Sequence, residues 1–321
     1  MKLNSILKLS TIVTSILVSS SSYAIPTLNK VELSKSRVFG YDSKTKKNFF
    51  GMLDHEGKVV KLNEYKISSY NGEITTCSDE WMLAYNPPSS SSSIQHLLRF
   101  DSDSGVIKAD KQLSLTANQS VVRIACPQAN GVSKAVISDQ AGSQSLTYLA
   151  DIDTVTAQVT MTSAGIPMNT SDAAFITGKV VLIAYDQAFG ENLYTWPDGA
   201  ASPIKLSNLG ANSHMSSVEE DPKNPSSFTL LGFIDTSSTP YMNQKVIARF
   251  DSNFNLLLSK QLPLDTQDGL SAISVQGDKT TVVAIKNSKP SFLVIDLISG
   301  NVVEKPDNSL RAQYIQFADI F

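Results

Sequence analysis

Six short stretches of this chain place Asn, Asp or Glu at a recurring position. They are Tyr70-Asn71-Gly72-Glu73, Asn118-Gln119-Ser120, Asn169-Thr170-Ser171-Asp172, Asn212-Ser213-His214, Asp268-Gly269 and Asn308-Ser309-Leu310-Arg311. If the fold gathers them, a ring of such oxygens suits a hard cation such as calcium, which takes about six to eight oxygen ligands. Asn71, Glu73, Asn118, Asn169 and Asp268 form the candidate metal set. Tyr70, Asp172, Asn212, His214 and Arg311 join Asn71, Glu73, Asn118, Asn169 and Asp268 as a candidate ligand-binding set. The plainer reading is favoured: Asn and Asp are what turns use, because their side chains bond their own backbone.

Other chemistry is thinly represented. The histidines are His55, His96 and His214. His55 lies in Asp54-His55-Glu56-Gly57, His96 follows a run of serines from Ser89 to Ser93, and His214 precedes Glu219-Glu220-Asp221. No G-x-S-x-G elbow accompanies them, which disfavours a Ser-His-Asp triad. Asp101-Ser102-Asp103-Ser104-Gly105 opens like a calcium loop, but Gln112 stands where a bidentate Glu is needed. It also resembles the Asp box of sialidase-type propellers, with Lys108 in place of the terminal aromatic. A hairpin turn accounts for it more simply.

The elements that must position these residues repeat. An apolar strand ending in Asp, a polar turn and a second strand recur with Asp at 54, 101, 151, 198, 251 and 296, about every 48 residues. Asp accepts backbone N–H bonds two residues on, and Gly supplies the positive φ that closes the turn. Two more strands fit between successive units, as in Ser120–Cys126 with Lys134–Ser138, or Leu270–Val275 with Thr280–Ile285. These runs are β-branched, bounded by turn formers and without helical periodicity. Four short strands per 40 to 50 residues is the pattern of a β-propeller. The predicted fold is all-β, a six-bladed propeller of four-stranded blades. Leu310–Phe317 reads as a further strand, innermost in the blade whose other strands lie in Val31–Leu62, so that it closes the ring.

Cys77 and Cys126 stand one repeat apart, at matching points of adjacent inner strands. A bridge between them is expected in an oxidising compartment, and separate buried thiols are the alternative. Two Cys with no nearby His fall short of a zinc site.

The stretch Val218-Glu219-Glu220-Asp221-Pro222-Lys223-Asn224-Pro225-Ser226-Ser227-Phe228 resembles the turn joining the two inner strands of many secreted propellers. The hydrophobic-Asp-polar-Gly hairpin is similar to the outer turn of that superfamily. The resemblance covers most of the chain and names no functional family. It implies that the inter-blade junctions form the mouth of the central tunnel.

Met1–Ala24 has the layout of a signal peptide: Lys2 and Lys8, an apolar stretch from Thr11 to Val18, then Ser22-Tyr23-Ala24. Residues 25–321 are expected to form one propeller domain, exported to the periplasm or beyond, with no membrane span after the signal. The 321 residues hold 27 basic and 30 acidic side chains, so nothing points to nucleic acid. The leading expectation is a non-catalytic exported propeller, without cofactor, that binds a protein or a surface glycan. The alternative is a calcium-dependent hydrolase of lactonase-like type at the tunnel mouth. Whether the chain is an enzyme, and its oligomeric state, stay open at this level.

Overall fold

A computed structural model describes residues 37–319 apart from 43, 54–58, 66, 68–71, 78, 88–93, 141, 143, 187–189, 209–212, 236–242, 266, 287–288 and 307–312. The expected signal peptide, His55, Tyr70, Asn71, the Ser89–Ser93 run, Asn212 and Arg311 lie outside the described residues.

Every regular element among the described residues is a β-strand. Blade one holds β1 (Arg37–Asp42), β2 (Lys47–Leu53) and β3 (Val59–Tyr65), and blade two holds β4 (Gly72–Thr76), β5 (Glu80–Tyr85), β6 (His96–Asp101) and β7 (Ile107–Gln112). Blade three runs β8 (Gln119–Ile124), β9 (Val132–Asp139), β10 (Leu146–Asp153), β11 (Val159–Met161) and β12 (Ile166–Pro167). Blade four is β13 (Asn169–Ile176), β14 (Lys179–Asp186), β15 (Gly190–Pro197) and β16 (Ile204–Asn208). Blade five is β17 (Ser213–Glu220), β18 (Ser227–Asp235), β19 (Asn243–Asp251) and β20 (Leu256–Gln261). Blade six is β21 (Gly269–Gln276), β22 (Lys279–Lys286), β23 (Lys289–Asp296) and β24 (Val302–Pro306), and β25 (Gln313–Asp319) returns to blade one.

Each blade is an antiparallel meander, with sheet orders such as β4-β5-β6-β7 and β21-β22-β23-β24. Six blades are formed, as the repeat predicts. Blade three departs from four strands because its outer edge is split, β11 and β12 both pairing with β10. The first strands of successive blades pack together in the order β4, β8, β13, β17, β21 and β25, which makes them the inner ring. β25 pairs antiparallel with β1, from Arg37↔Asp319 to Asp42↔Gln313, so the first and last described strands share one sheet.

Burial explains the hydrophobic pattern. Second strands lie inside their sheet with neighbouring blades on both faces, so β5 is buried throughout. That is why Val180–Tyr185 reads as a continuous apolar run rather than an alternating one. Outer strands such as β3 alternate between half-buried and exposed, as half-solvated edges should. Apolar clusters fill the spaces between blades: Phe39, Phe50, Trp81 and Phe100 between blades one and two, and Leu231, Ile247, Ile273 and Val282 between five and six.

Asp101, Asp251 and Asp296 follow the expected turn chemistry, Asp198 instead pairs with Lys134 at 3.0 Å, and Asp54 lies outside the described residues. Asp101 accepts the N–H of Ser104 at 2.9 Å, Asp251 that of Asn253 at 2.8 Å and Asp296 that of Ser299 at 2.7 Å. In blade three the turn carboxylate is Asp153, which accepts from Val155 at 2.8 Å and Thr156 at 2.9 Å. Asp151 instead sits within β10 opposite Lys134. The blade-three strand runs two residues longer than the spacing implies, and the cap moves with its end.

A feature with no sequence forecast recurs on the inner ring. β8, β13, β17 and β21 each carry a one-residue irregularity, at Val121/Arg123, Thr170/Asp172, Met215/Ser217 and Leu270/Ala272. β25 has its own opposite Phe39/Gly40. Each bulge turns the residues beyond it onto the other face of the strand.

Candidate functional site

In an antiparallel blade, the turns joining first to second and third to fourth strands lie at one end. The second-to-third loops and the blade-to-blade junctions lie at the other. The candidate ligand-binding residues belong to the junction end, and the structure distributes them unevenly.

Asn118 is exposed and its carbonyl accepts the Gln140 N–H at 2.9 Å. Glu73 is described only through its backbone, paired with Ala84 in β4. Asp268 is buried, and its carboxylate turns back to the Asp265 N–H at 2.7 Å, closing its own junction turn. Asn169 and His214 lie on the inner strands β13 and β17 rather than ahead of them, because those strands start at Asn169 and Ser213. Among the described residues, no group of three or more His, Cys, Asp or Glu is placed to hold a metal ion.

Asp172 is corrected from mouth to interior. It follows the β13 bulge, which turns it inward, where it accepts the Ala173 N–H at 2.7 Å and, across the blade boundary, the Ser217 hydroxyl and the Val218 N–H, both at 2.8 Å. Nearby, Arg123 of β8 donates to Glu219 of β17 and stands 3.3 Å from Glu220. Three carboxylates from blades four and five thus gather near the guanidinium of blade three. Burial pushes the Glu219 carboxyl well above the usual range, with Arg123 opposing and Glu220 reinforcing the shift. Burial likewise raises Asp172 against the pull of Arg123. The arrangement ties blades three, four and five together around the tunnel.

Ion pairs Asp42–Lys61–Glu64–Lys47 in blade one and Lys286–Glu304 in blade six lie at the junction end, and two further clusters there carry tyrosine and histidine. In blade two, Tyr85 and His96 are paired across β5 and β6, and both reach Asp110 of β7. His96 Nδ1 lies 2.9 Å from Asp110 Oδ1, and the Tyr85 hydroxyl donates to Oδ2 at 2.7 Å. Burial, followed by the Asp110 bond and charge, drives the Tyr85 phenol upward. In blade four, Asn169, Tyr185 and Glu191 stand directly opposite one another across β13, β14 and β15. Glu191 accepts the Met215 N–H at 2.8 Å, and His214 Nδ1 lies 3.8 Å from the same carboxylate. The Tyr185 phenol is raised by burial, then by the charge and hydrogen bond of Glu191. The structure therefore joins Asn169 and His214, both named from sequence, through Tyr185 and Glu191, which were not. Tyr185 is hidden in sequence because it ends an apolar run that reads as core.

At the opposite end Cys77 and Cys126 are bridged, with Cα atoms 5.6 Å apart, just past the ends of β4 and β8. The bridge links blades two and three as their one-repeat spacing predicts.

No protein-family model matches the chain, and no curated protein sequence matches it. Solved structures do, at the level of fold. TolB from Acinetobacter baumannii superposes with a TM-score of 0.58 at 11% identity over 89% of this chain, which spans 66% of that one. A chain of a nidogen/laminin complex gives 0.55 at 8% identity, covering 87% of this chain and 96% of that one. Oligogalacturonate lyase in complex with manganese gives 0.52 at 10% identity, covering 84% and 77%. These likenesses establish the β-propeller fold and no activity.

Proposed function

We propose that this chain is an exported, non-catalytic binding module whose junction-side face recognises a protein or a surface glycan. The observation that carries the reading is the row Asn169, Tyr185, Glu191 and His214. It sets exposed aromatic, amide and imidazole groups on strand ends, where the ring holds them rigidly. Rigid placement lowers the ordering cost of binding. The disulfide fits an oxidising compartment, and no helix among the described residues is long and apolar enough to cross a membrane. Met1–Ala24 would then be the export signal. A propeller-fold neighbour stands in a nidogen/laminin complex, in keeping with protein contact as one use of such a ring.

The test is capture by the immobilised protein from exported proteins and from a glycan array, with one substitution at each end. His214→Glu alters the junction face and Val155→Asp an exposed turn at the opposite end. The expected result is tenfold or greater weakening, roughly 1.4 kcal/mol, by His214→Glu alone. Loss through Val155→Asp alone would contradict the reading. A melting temperature raised by calcium, with metal retained on purification, would favour the calcium-dependent hydrolase instead.

A further inference from the structure

Asn169, Tyr185 and Glu191 occupy directly opposed positions on three adjacent strands, so their side chains leave the same face of blade four. Adjacent strands lie about 4.8 Å apart, so the row covers roughly 10 Å before His214 of blade five extends it. Its composition narrows what it can hold.

Tyr185 is 44% exposed and stands directly opposite Glu191 in the sheet, so its ring meets solvent. The Glu191 side chain is only 5% exposed, accepts the Met215 N–H at 2.8 Å and stands 3.8 Å from His214 Nδ1. A carboxylate so occupied orients its neighbours; it offers little to an incoming ammonium or guanidinium. What faces outward is an aromatic surface, the Asn169 amide and the His214 imidazole, the last 48% exposed. Amide and imidazole each both donate and accept hydrogen bonds. An apolar stacking surface flanked by such groups suits a neutral, hydroxyl-rich ligand with an apolar C–H face.

We infer that this row is a saccharide-binding subsite, sized for roughly two sugar rings. The inference rests on the junction-face reading and specifies its ligand. Tyr185 stacks against the ring, Asn169 and His214 bond its hydroxyls, and Glu191 holds Tyr185 and His214 in place.

The experiment measures binding of cellohexaose, maltohexaose and hexa-N-acetylglucosamine to the purified protein by calorimetry, in about 0.15 M and about 0.5 M salt. At least one oligomer is expected to bind, with affinity changing less than about twofold between the two salts because no charge is neutralised. Tyr185→Ala should weaken it roughly tenfold or more, while Tyr185→Phe, which keeps the ring, should cost roughly threefold or less. His214→Ala, at the exposed end of the row, gives the same reading if Tyr185→Ala does not fold. Absence of binding by all three oligomers, or affinity unchanged by both Tyr185→Ala and His214→Ala, overturns the subsite. If those sugars fail while a protein is captured through the junction face, the subsite falls and the broader binding reading stands. Capture lost only through Val155→Asp removes both.

Discussion

Single residues in this ring are constrained mainly by what the neighbouring blade brings against them. Gly105 closes the blade-two outer turn at φ +68°, and an added Cβ would lie 2.3 Å from Phe50 Cδ1 in blade one. Gly105→Ala combines a left-handed backbone penalty with overpacking, so denaturant melts should show a loss of roughly 2–4 kcal/mol. Glu219 makes a pH prediction of definite sign. Its folded-state pKa is raised, so the folded protein holds that proton more tightly than the unfolded chain does. The stabilisation is complete below the ordinary glutamate pKa and is lost as pH climbs through the raised value. Glu219→Gln keeps a hydrogen-bonding partner for Arg123 without the charge. The variant should therefore gain on the native protein as pH rises above the ordinary glutamate range and show no such gain at lower pH, in paired thermal melts. A gain confined to acid pH would contradict the assignment. Much at this scale was readable in advance: Asp marks a turn because its carboxylate accepts backbone N–H groups two or three residues on, and Gly because it takes positive φ without strain. The role of Arg123 was not, since an arginine between Val122 and Ile124 gives no hint of which blade supplies its carboxylates.

At the scale of elements, strands and their order are legible because second strands such as β5 are buried throughout while outer strands such as β3 and β7 are mostly half-buried or exposed. The inner-ring bulges are not legible. They arise where six first strands converge, and a bulge adds one residue without changing composition. Their consequence is chemical, since the bulge in β13 sends Asp172 inward while Asn169, ahead of it, stays exposed. For the same reason, a reading by spacing alone grouped Asp172 with the binding residues. The bridge between the ends of β4 and β8 closes a loop of 49 residues. Replacing Cys77 and Cys126 together by Ser should cost roughly 2–4 kcal/mol, seen as a lower midpoint in denaturant with a steeper slope, because the unfolded chain without its cross-link exposes more surface. A double variant as stable as the native protein would mean that the apolar packing between blades two and three alone fixes their arrangement.

For the molecule as a whole, the ring divides its labour between two ends. At one end the outer turns satisfy their own carboxylates and the disulfide links two blades. At the other, strand ends carry the Tyr85-His96-Asp110 and Asn169-Tyr185-Glu191-His214 clusters. Between the two ends, Arg123, Asp172, Glu219 and Glu220 tie blades three, four and five to one another. The six-fold architecture followed from a repeat of about 48 residues. The cluster at the junction end did not, because Glu191 of blade four meets His214 of blade five only once two blades stand side by side. The most direct measurement is backbone hydrogen exchange with and without the tightest partner found by capture. Slowed exchange is expected around residues 169–172, 185–191 and 213–216. Protection confined to the outer turns at 102–106, 154–158 and 252–255 would contradict a ligand face at the blade junctions.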